Sequence, residues 1–357
     1  MKSIKVLIYS LSLIFCFLYG VGTGLYRWFL FMPLQTLNQT LKHNHNGRIT
    51  HIWNGIGIKS NNKKLLAELA KTNNIAFDEN LMGSEIISPQ LKSNSTKFIS
   101  YGDNESKNIN SLIDSINEKK DASLIIQLGD MQYWSSQCED TYSNLQYELM
   151  NSLKTPVLFT PGDNDWLDCP NRIDRLAEIR ETFFSKDLTL GRNPSIVENQ
   201  RLKGYPENAR LIKRNVAFIT AHVVGGNNNF DPFSKKNTLE YLKRDDANID
   251  WITESFEKYK DASAFVLAIH ANIFEGENIP FLYERFANTI LNLSNKYKKP
   301  LLLLHGNVHK FKAYQPMSSK YPFLHVIQNF GYPDIKAIEI EVNPSNKIPF
   351  NVINIIY

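Results

Sequence analysis

The chain has 357 residues, 43% of them hydrophobic, enough for one large α/β domain with an added segment. Its 40 basic and 36 acidic residues leave a net charge of +4. No basic stripe interleaved with aromatics accompanies that balance, so no nucleic-acid partner is expected and a nuclease is the weakest enzymatic reading.

Lys2 and Lys5 precede an uncharged apolar run, residues 6–26, that Arg27 ends. At about 1.5 Å rise per residue, such a run would span roughly 30 Å of bilayer. With the lysines held in the cytoplasm, everything after Arg27 is sent across the membrane. Residues 1–27 therefore read as an export signal, or as a membrane anchor through residues 6–26; a buried core helix is the remaining alternative. Gly20-Val21-Gly22 and Gly22-Thr23-Gly24 offer small-x-small sites for cleavage. The expected location is secreted, periplasmic or membrane-anchored, facing away from the cytoplasm.

Residues 28–96 form an extension of unclear structure, rich in Asn and Lys, with one helix expected over 62–71. The short cluster His43-Asn44-His45 reads as solvated linker rather than a metal loop. From Lys97 to Tyr357 short apolar runs alternate with amphipathic stretches, the sequence form of βαβ units. Strands are predicted over 97–101, 123–128, 157–160, 216–223, 265–269, 301–304, 324–328, 337–342 and 352–355. Helices are predicted over 107–119, 143–153, 172–184, 246–260 and 281–296.

Five polar motifs sit where apolar runs end: Gly102-Asp103, Gly129-Asp130-Met131-Gln132-Tyr133, Gly162-Asp163-Asn164-Asp165, the run ending in His270, and Gly306-Asn307-Val308-His309. In open α/β sheets, ligands bind beyond the carboxyl ends of strands. A single Gly-Asp is a common turn, and a single strand-end His is usually structural. The ordered set of five points instead to a two-metal centre. Metals about 3.5–4 Å apart need a bridging carboxylate flanked by hard or borderline ligands. Cys16 lies in the apolar run, which leaves Cys138 and Cys169 as an even pair, each a few residues past one of the motifs. A disulfide joining those two loops is expected in an oxidising compartment; two unrelated thiols are the alternative.

The ordered motifs resemble those of the calcineurin-like metallophosphoesterases, over roughly residues 97–312. Tyr133 resembles the purple acid phosphatase branch, in which a tyrosine binds Fe(III). Gly162-Asp163-Asn164-Asp165-Trp166-Leu167-Asp168-Cys169 is similar to a secreted bacterial group with a Gly-Asp-Asn-Glu/Asp-Trp motif. The stretches Pro206-Glu207-Asn208 and His222-Val223-Val224-Gly225-Gly226-Asn227-Asn228 are similar to that group too.

The resemblance implies an α/β fold, a four-layer αββα sandwich of two mixed β-sheets with the site at one edge. It implies two divalent or mixed-valence metal ions, drawn from Fe, Mn, Mg, Zn or Ca. Asp103, Tyr133 and His309 would hold the first, Asp163, His270 and Asn307 the second, and Asp130 would bridge them. The implied activity is hydrolysis of a phosphomonoester or phosphodiester by metal-bound hydroxide.

The sequence departs from the family pattern. No histidine follows Asp103, so Tyr133 or Glu105 must substitute, Tyr133 being favoured. Asp163 replaces an Asn ligand, Asn307 replaces a His ligand, and Asn164 replaces a His that assists the leaving group. The second site is thereby richer in oxygen, favouring Mg²⁺, Mn²⁺ or Ca²⁺ over Zn²⁺. Loss of a general acid is worth roughly 10²–10⁴ in rate. His222 is a candidate to stand in for it, or else a structural histidine. The missing histidines also motivate a second reading, a catalytically impaired protein of this fold that acts as a binding module at the cell envelope. Trp134 and Trp166 are expected in the core or as pocket walls.

Overall fold

The computed structural model describes residues 56–58, 95–104, 109–131, 138 and 140–357. The apolar run 6–26, the polar cluster at 43–45, the helix expected over 62–71, and Glu105, Tyr133 and Trp134 lie outside the described residues.

Among the described residues, thirteen strands form two mixed sheets. The first takes β1 (Ile56–Ile58), β2 (Thr96–Tyr101), β3 (Ile125–Gln127), β4 (Val157–Phe159), β12 (Ala337–Val342) and β13 (Phe350–Ile356), in the order β1-β13-β12-β2-β3-β4. The second takes β5 (Glu198–Gln200), β6 (Tyr205–Lys213), β7 (Val216–Thr220), β8 (Ala264–Ala268), β9 (Leu301–His305), β10 (Lys312–Tyr314) and β11 (Leu324–Gln328). Its order is β10-β11-β9-β8-β7-β6-β5. Strands β2, β3 and β4 run parallel, as do β7, β8, β9 and β11. β1, from the extension of unclear structure, pairs in parallel with β13.

Period-2 alternation builds the layers. Leu302 and Leu304 of β9 and Val266 of β8 meet Phe98, Ile126 and Ile340 of the first sheet in a core between the sheets. Leu301, Leu303, Phe265 and Leu267 face the opposite way. They are covered by α4 (Lys235–Lys258) and α5 (Glu284–Tyr297) through Trp251, Phe256, Phe286 and Ile290. The outer face of the first sheet packs Ile99, Ile125 and Phe159 against α1 (Ile109–Asn117) and α3 (Arg172–Phe184). α2 (Asp140–Ser152) contributes Met150 to the same cluster. The result is the expected αββα sandwich. Trp166 is fully buried in the layer beneath α3.

Two elements exceed the expectations. α4 begins at Lys235, well before the helix expected from residue 246, with the Ser234 hydroxyl accepting from the Asn237 amide as a cap. β6 and β7 form a hairpin through Arg214 and Asn215, both at positive φ as a tight two-residue turn requires. β7 ends at Thr220, so His222 lies just past it rather than within it.

Cys138 and Cys169 form a disulfide across 31 residues of sequence, the pairing expected. Among the described residues no helix is long and apolar enough to cross a membrane.

Candidate metal centre

Every described candidate ligand follows the carboxyl end of a parallel strand. Asp103 comes after β2, Asp130 after β3, Asp163 after β4, His270 after β8, and Asn307 and His309 after β9. Five of these side chains converge in two groups. Asp103, Asp130 and His309 place ligand atoms within 4.8 Å of one another, and so do Asp130, Asp163 and His270. Asp130 belongs to both groups.

The backbone bends unusually to achieve this. Asp103 (φ 52°), Asp130 (φ 51°), Asn307 (φ 66°) and His309 (φ 63°) all take the left-handed conformation. Each such residue costs about 1–3 kcal/mol, and such strain concentrates at functional sites. Main-chain bonds hold the bends. The Asp103 amide donates to the Gly129 carbonyl at 3.0 Å, and the Asn104 amide to the Asp130 carbonyl at 3.2 Å. The Asn307 amide donates to both oxygens of Asp103, at 2.9 and 3.0 Å. Gly129 (φ 87°) packs against Gly162 so closely that a Cβ would sit 2.6 Å from the Gly162 Cα.

Asp165, quoted in the motif but given no role from sequence, ties two of these loops together. Its fully buried carboxylate accepts from the amides of Asp130 (3.0 Å), Met131 (2.8 Å) and Gly162 (2.8 Å). The sequence showed two acidic residues in one motif and offered no means of telling which one faces the site.

Both histidines are oriented as ligands. His270 Nδ1 donates to the Leu128 carbonyl at 2.6 Å, and His309 Nδ1 to the Tyr332 carbonyl at 2.9 Å. Each Nε2 is thereby turned to the carboxylates. His270 Nε2 is fully buried, 2.8 Å from Asp163 Oδ1 and 3.4 Å from Asp130 Oδ2. His309 Nε2 is 3.4 Å from Asp103 Oδ1.

The charge is unbalanced. Among the described residues no Lys or Arg pairs with Asp103, Asp130 or Asp163. Burial, relieved in part by His270 and reinforced by Asp163, pushes Asp130 up to about 8. Burial works against a charged His270, yet Asp130 and Asp163 outweigh it and raise its pKa well above the ordinary value. In the bare cluster Asp130 and His270 hold protons that cations at the two foci would displace. The inward-facing Nε2 atoms, the shared carboxylate and the lack of a Lys or Arg partner all fit divalent cations.

The Asn307 side-chain oxygen lies beside Asp163. A Cβ on Gly225 would stand 2.6 Å from Asn307 Oδ1 and 2.6 Å from Asp163 Oδ1, so both oxygens border the small space this glycine leaves open. Asn164 is half-buried, and its amide donates to Asp130 Oδ1 at 2.9 Å. His222 stands apart from the cluster, with no exposed surface. Its Nδ1 donates to Glu207 at 2.9 Å, and Glu207 in turn takes two hydrogen bonds from Arg180.

No family model matches the sequence, and no curated protein matches it. Distant solved structures are similar to this chain, PhoD and a dimetal phosphatase among them. One, described as the structure of PhoD, has a TM-score of 0.46 and 10% identity, covering 70% of this chain and 64% of that one. The chain thus spans just under two thirds of the PhoD chain. The other, a dimetal phosphatase from Danio rerio, has a TM-score of 0.46 and 10% identity, covering 73% of this chain and 98% of that one.

Proposed function

We propose that this protein is a metal-dependent phosphoesterase, hydrolysing a phosphomonoester or phosphodiester outside the cytoplasm. The observation that carries the reading is Asp130, one carboxylate common to two groups of potential ligands. Asp103, Asp130 and His309, completed by Tyr133, would hold one cation. Asp130, Asp163, His270 and Asn307 would hold the other. Bound cations would supply the positive charge that polarises phosphoryl oxygens and stabilises an in-line displacement.

The chain's own groups supply the rest. The Leu128 and Tyr332 carbonyls fix the two imidazoles with Nε2 inward. The Asn307 and Asn164 amides hold Asp103 and Asp130. The oxygen-rich second set favours Mg²⁺, Mn²⁺ or Ca²⁺, and Tyr133 favours Fe(III) at the first. Asn164, which stands where the resembled family has a histidine that assists the leaving group, would contact that group. His222, wholly enclosed, would act at one remove, through the segment that follows it. The disulfide supports an oxidising compartment.

Metal analysis of the purified protein, followed by turnover of p-nitrophenyl phosphate and its bis-ester, tests the reading. Two cations per chain and hydrolysis abolished by chelation are expected. One cation or none, without hydrolysis, would favour a binding module. His222→Ala separates the two roles open to that residue. A loss confined to poor leaving groups speaks for proton donation, and equal losses with good and poor ones for packing.

A further inference from the structure

Behind the Asp163 side of the cluster lies a fully buried arginine, Arg244 of α4. Its guanidinium makes five hydrogen bonds. Nε donates to Glu240 at 2.6 Å and one terminal nitrogen to the same carboxylate at 3.2 Å. The others reach the His222 carbonyl (2.8 Å), the Asn228 side-chain oxygen (2.7 Å) and the Asn228 carbonyl (2.9 Å). Every guanidinium donor is used, a geometry that the point charge of lysine cannot reproduce.

Three of those bonds grip the ends of one turn, residues 222–229. Within it Asn227 (φ 58°), Asn228 (φ 54°) and Asn229 (φ 66°) are left-handed in succession. Such a run persists only where its surroundings impose it. Asn228 Oδ1, held by Arg244, also accepts from the Val224 amide at 3.2 Å. The next amide, Gly225, donates to Asp163 Oδ1 at 3.2 Å. Arg244 also stacks over Trp166 at 5.5 Å, and the Trp166 amide donates to the Asp163 carbonyl at 3.3 Å. Two routes therefore run from one guanidinium to one candidate ligand.

We propose that Arg244 is the positioning residue of the second cation site: it fixes the 222–229 turn and the Trp166 ring beneath it, so that the Gly225 and Trp166 amides hold Asp163 in the ligating orientation. The proposal rests on the two-cation reading above. It separates the two sites, because Asp103 and His309 take no support from this turn.

Two variants test it. Arg244→Lys keeps a positive charge beside Glu240 but loses the fork. Asn228→Gly keeps the left-handed turn and cuts the link, a gentler change should the first variant fold poorly. Titration with Mn²⁺ should show one wild-type affinity and a second weakened about tenfold to a hundredfold, the scale for groups that orient a ligand. Equal weakening at both sites, or none, would overturn the proposal. Hydrogen exchange is read in parallel and needs no metal. Peptides covering 161–168 and 222–230 should exchange at least about tenfold faster in both variants, while β8 and β9 stay protected. If the wild-type protein binds fewer than two Mn²⁺, the two-cation reading fails and exchange alone decides. Unchanged protection of 161–168 then refutes the positioning role, and selective loss there sustains it.

Discussion

Around Glu207, full charges meet partners of opposite sign. Arg180 donates twice to its carboxylate and His222 once, and a few residues away Arg244 saturates Glu240. Around Asp130 the reverse holds. Three carboxylates and two imidazoles crowd together without a Lys or Arg partner among the described residues. Both clusters are buried polar groups in one α/β domain, and a short turn links them. The first has balanced its electrostatics internally, as buried charges must to be tolerated. The second is left with a deficit of positive charge that something from solution has to supply. The contrast separates a polar network that shapes the protein from one that receives a ligand.

The contrast breaks most visibly at Asp130. Asp130→Asn should remove both cations together and lower phosphoester turnover by about 10³-fold or more, several kcal/mol of transition-state stabilisation. Metal analysis beside p-nitrophenyl phosphate assays checks this, and full metal content in the variant would refute the bridging role. The internally balanced cluster should answer differently. Arg180→Met strands Glu207 in the interior and should cost about 3–5 kcal/mol in urea unfolding, with cation stoichiometry unchanged. Loss of cations as well would show that the two clusters are one unit.

A smaller effect is expected at the junction. Gly225→Ala places a Cβ against Asn307 and Asp163 and should weaken only the second cation, by about tenfold, in Mn²⁺ titrations.

A graded effect concerns pH. Burial, opposed by the bond to Glu207 and aided by Arg244, holds His222 at about 4; burial alone does the same for His325. Both therefore bind protons in the unfolded chain before they do so in the folded one. Their contribution to stability is whole above the ordinary histidine value and declines as pH falls from about 6.5 towards 4, by roughly 1 kcal/mol per group per unit. Glu207 extends the loss. Burial would raise it, but Arg180 and His222 prevail and hold it at about 2, so its contribution fades from about pH 4.5 downward. Urea midpoints at pH 7, 6 and 5 check the slope. His222→Gln should reduce it, and a flat profile would mean that the histidine is not buried neutral as described.

The two regions were also unequally legible. Asp103, Asp130, Asp163, His270 and His309 could be found from sequence because each stands directly after an apolar run, at a position where a strand must end. The strands behind them, such as 265–269 and 301–304, read correctly for the same reason: fully buried strands are continuous apolar runs. β6 went unread because its buried side chains include Glu207, Asn208 and Arg210, the internally balanced cluster itself, which replaces the apolar signal with a polar one. The first half of α4 was missed on like grounds: Arg244 and Asp245 are buried while Leu239 and Leu242 are exposed, which inverts the usual pattern. Pairwise partnerships such as Arg244 with Asn228 leave no periodic trace, so no reading of spacing could find them.

Asp165 turns the loops after β3 and β4 into a single mechanical part. One carboxylate grips three amides drawn from both, so neither loop can swing without dragging the other. Any cation bound there would meet loops already set, so selectivity among ions would rest on rigid spacing rather than accommodation. A graft of these loops onto another scaffold would have to carry Asp165 along, although that side chain belongs to neither group of potential ligands.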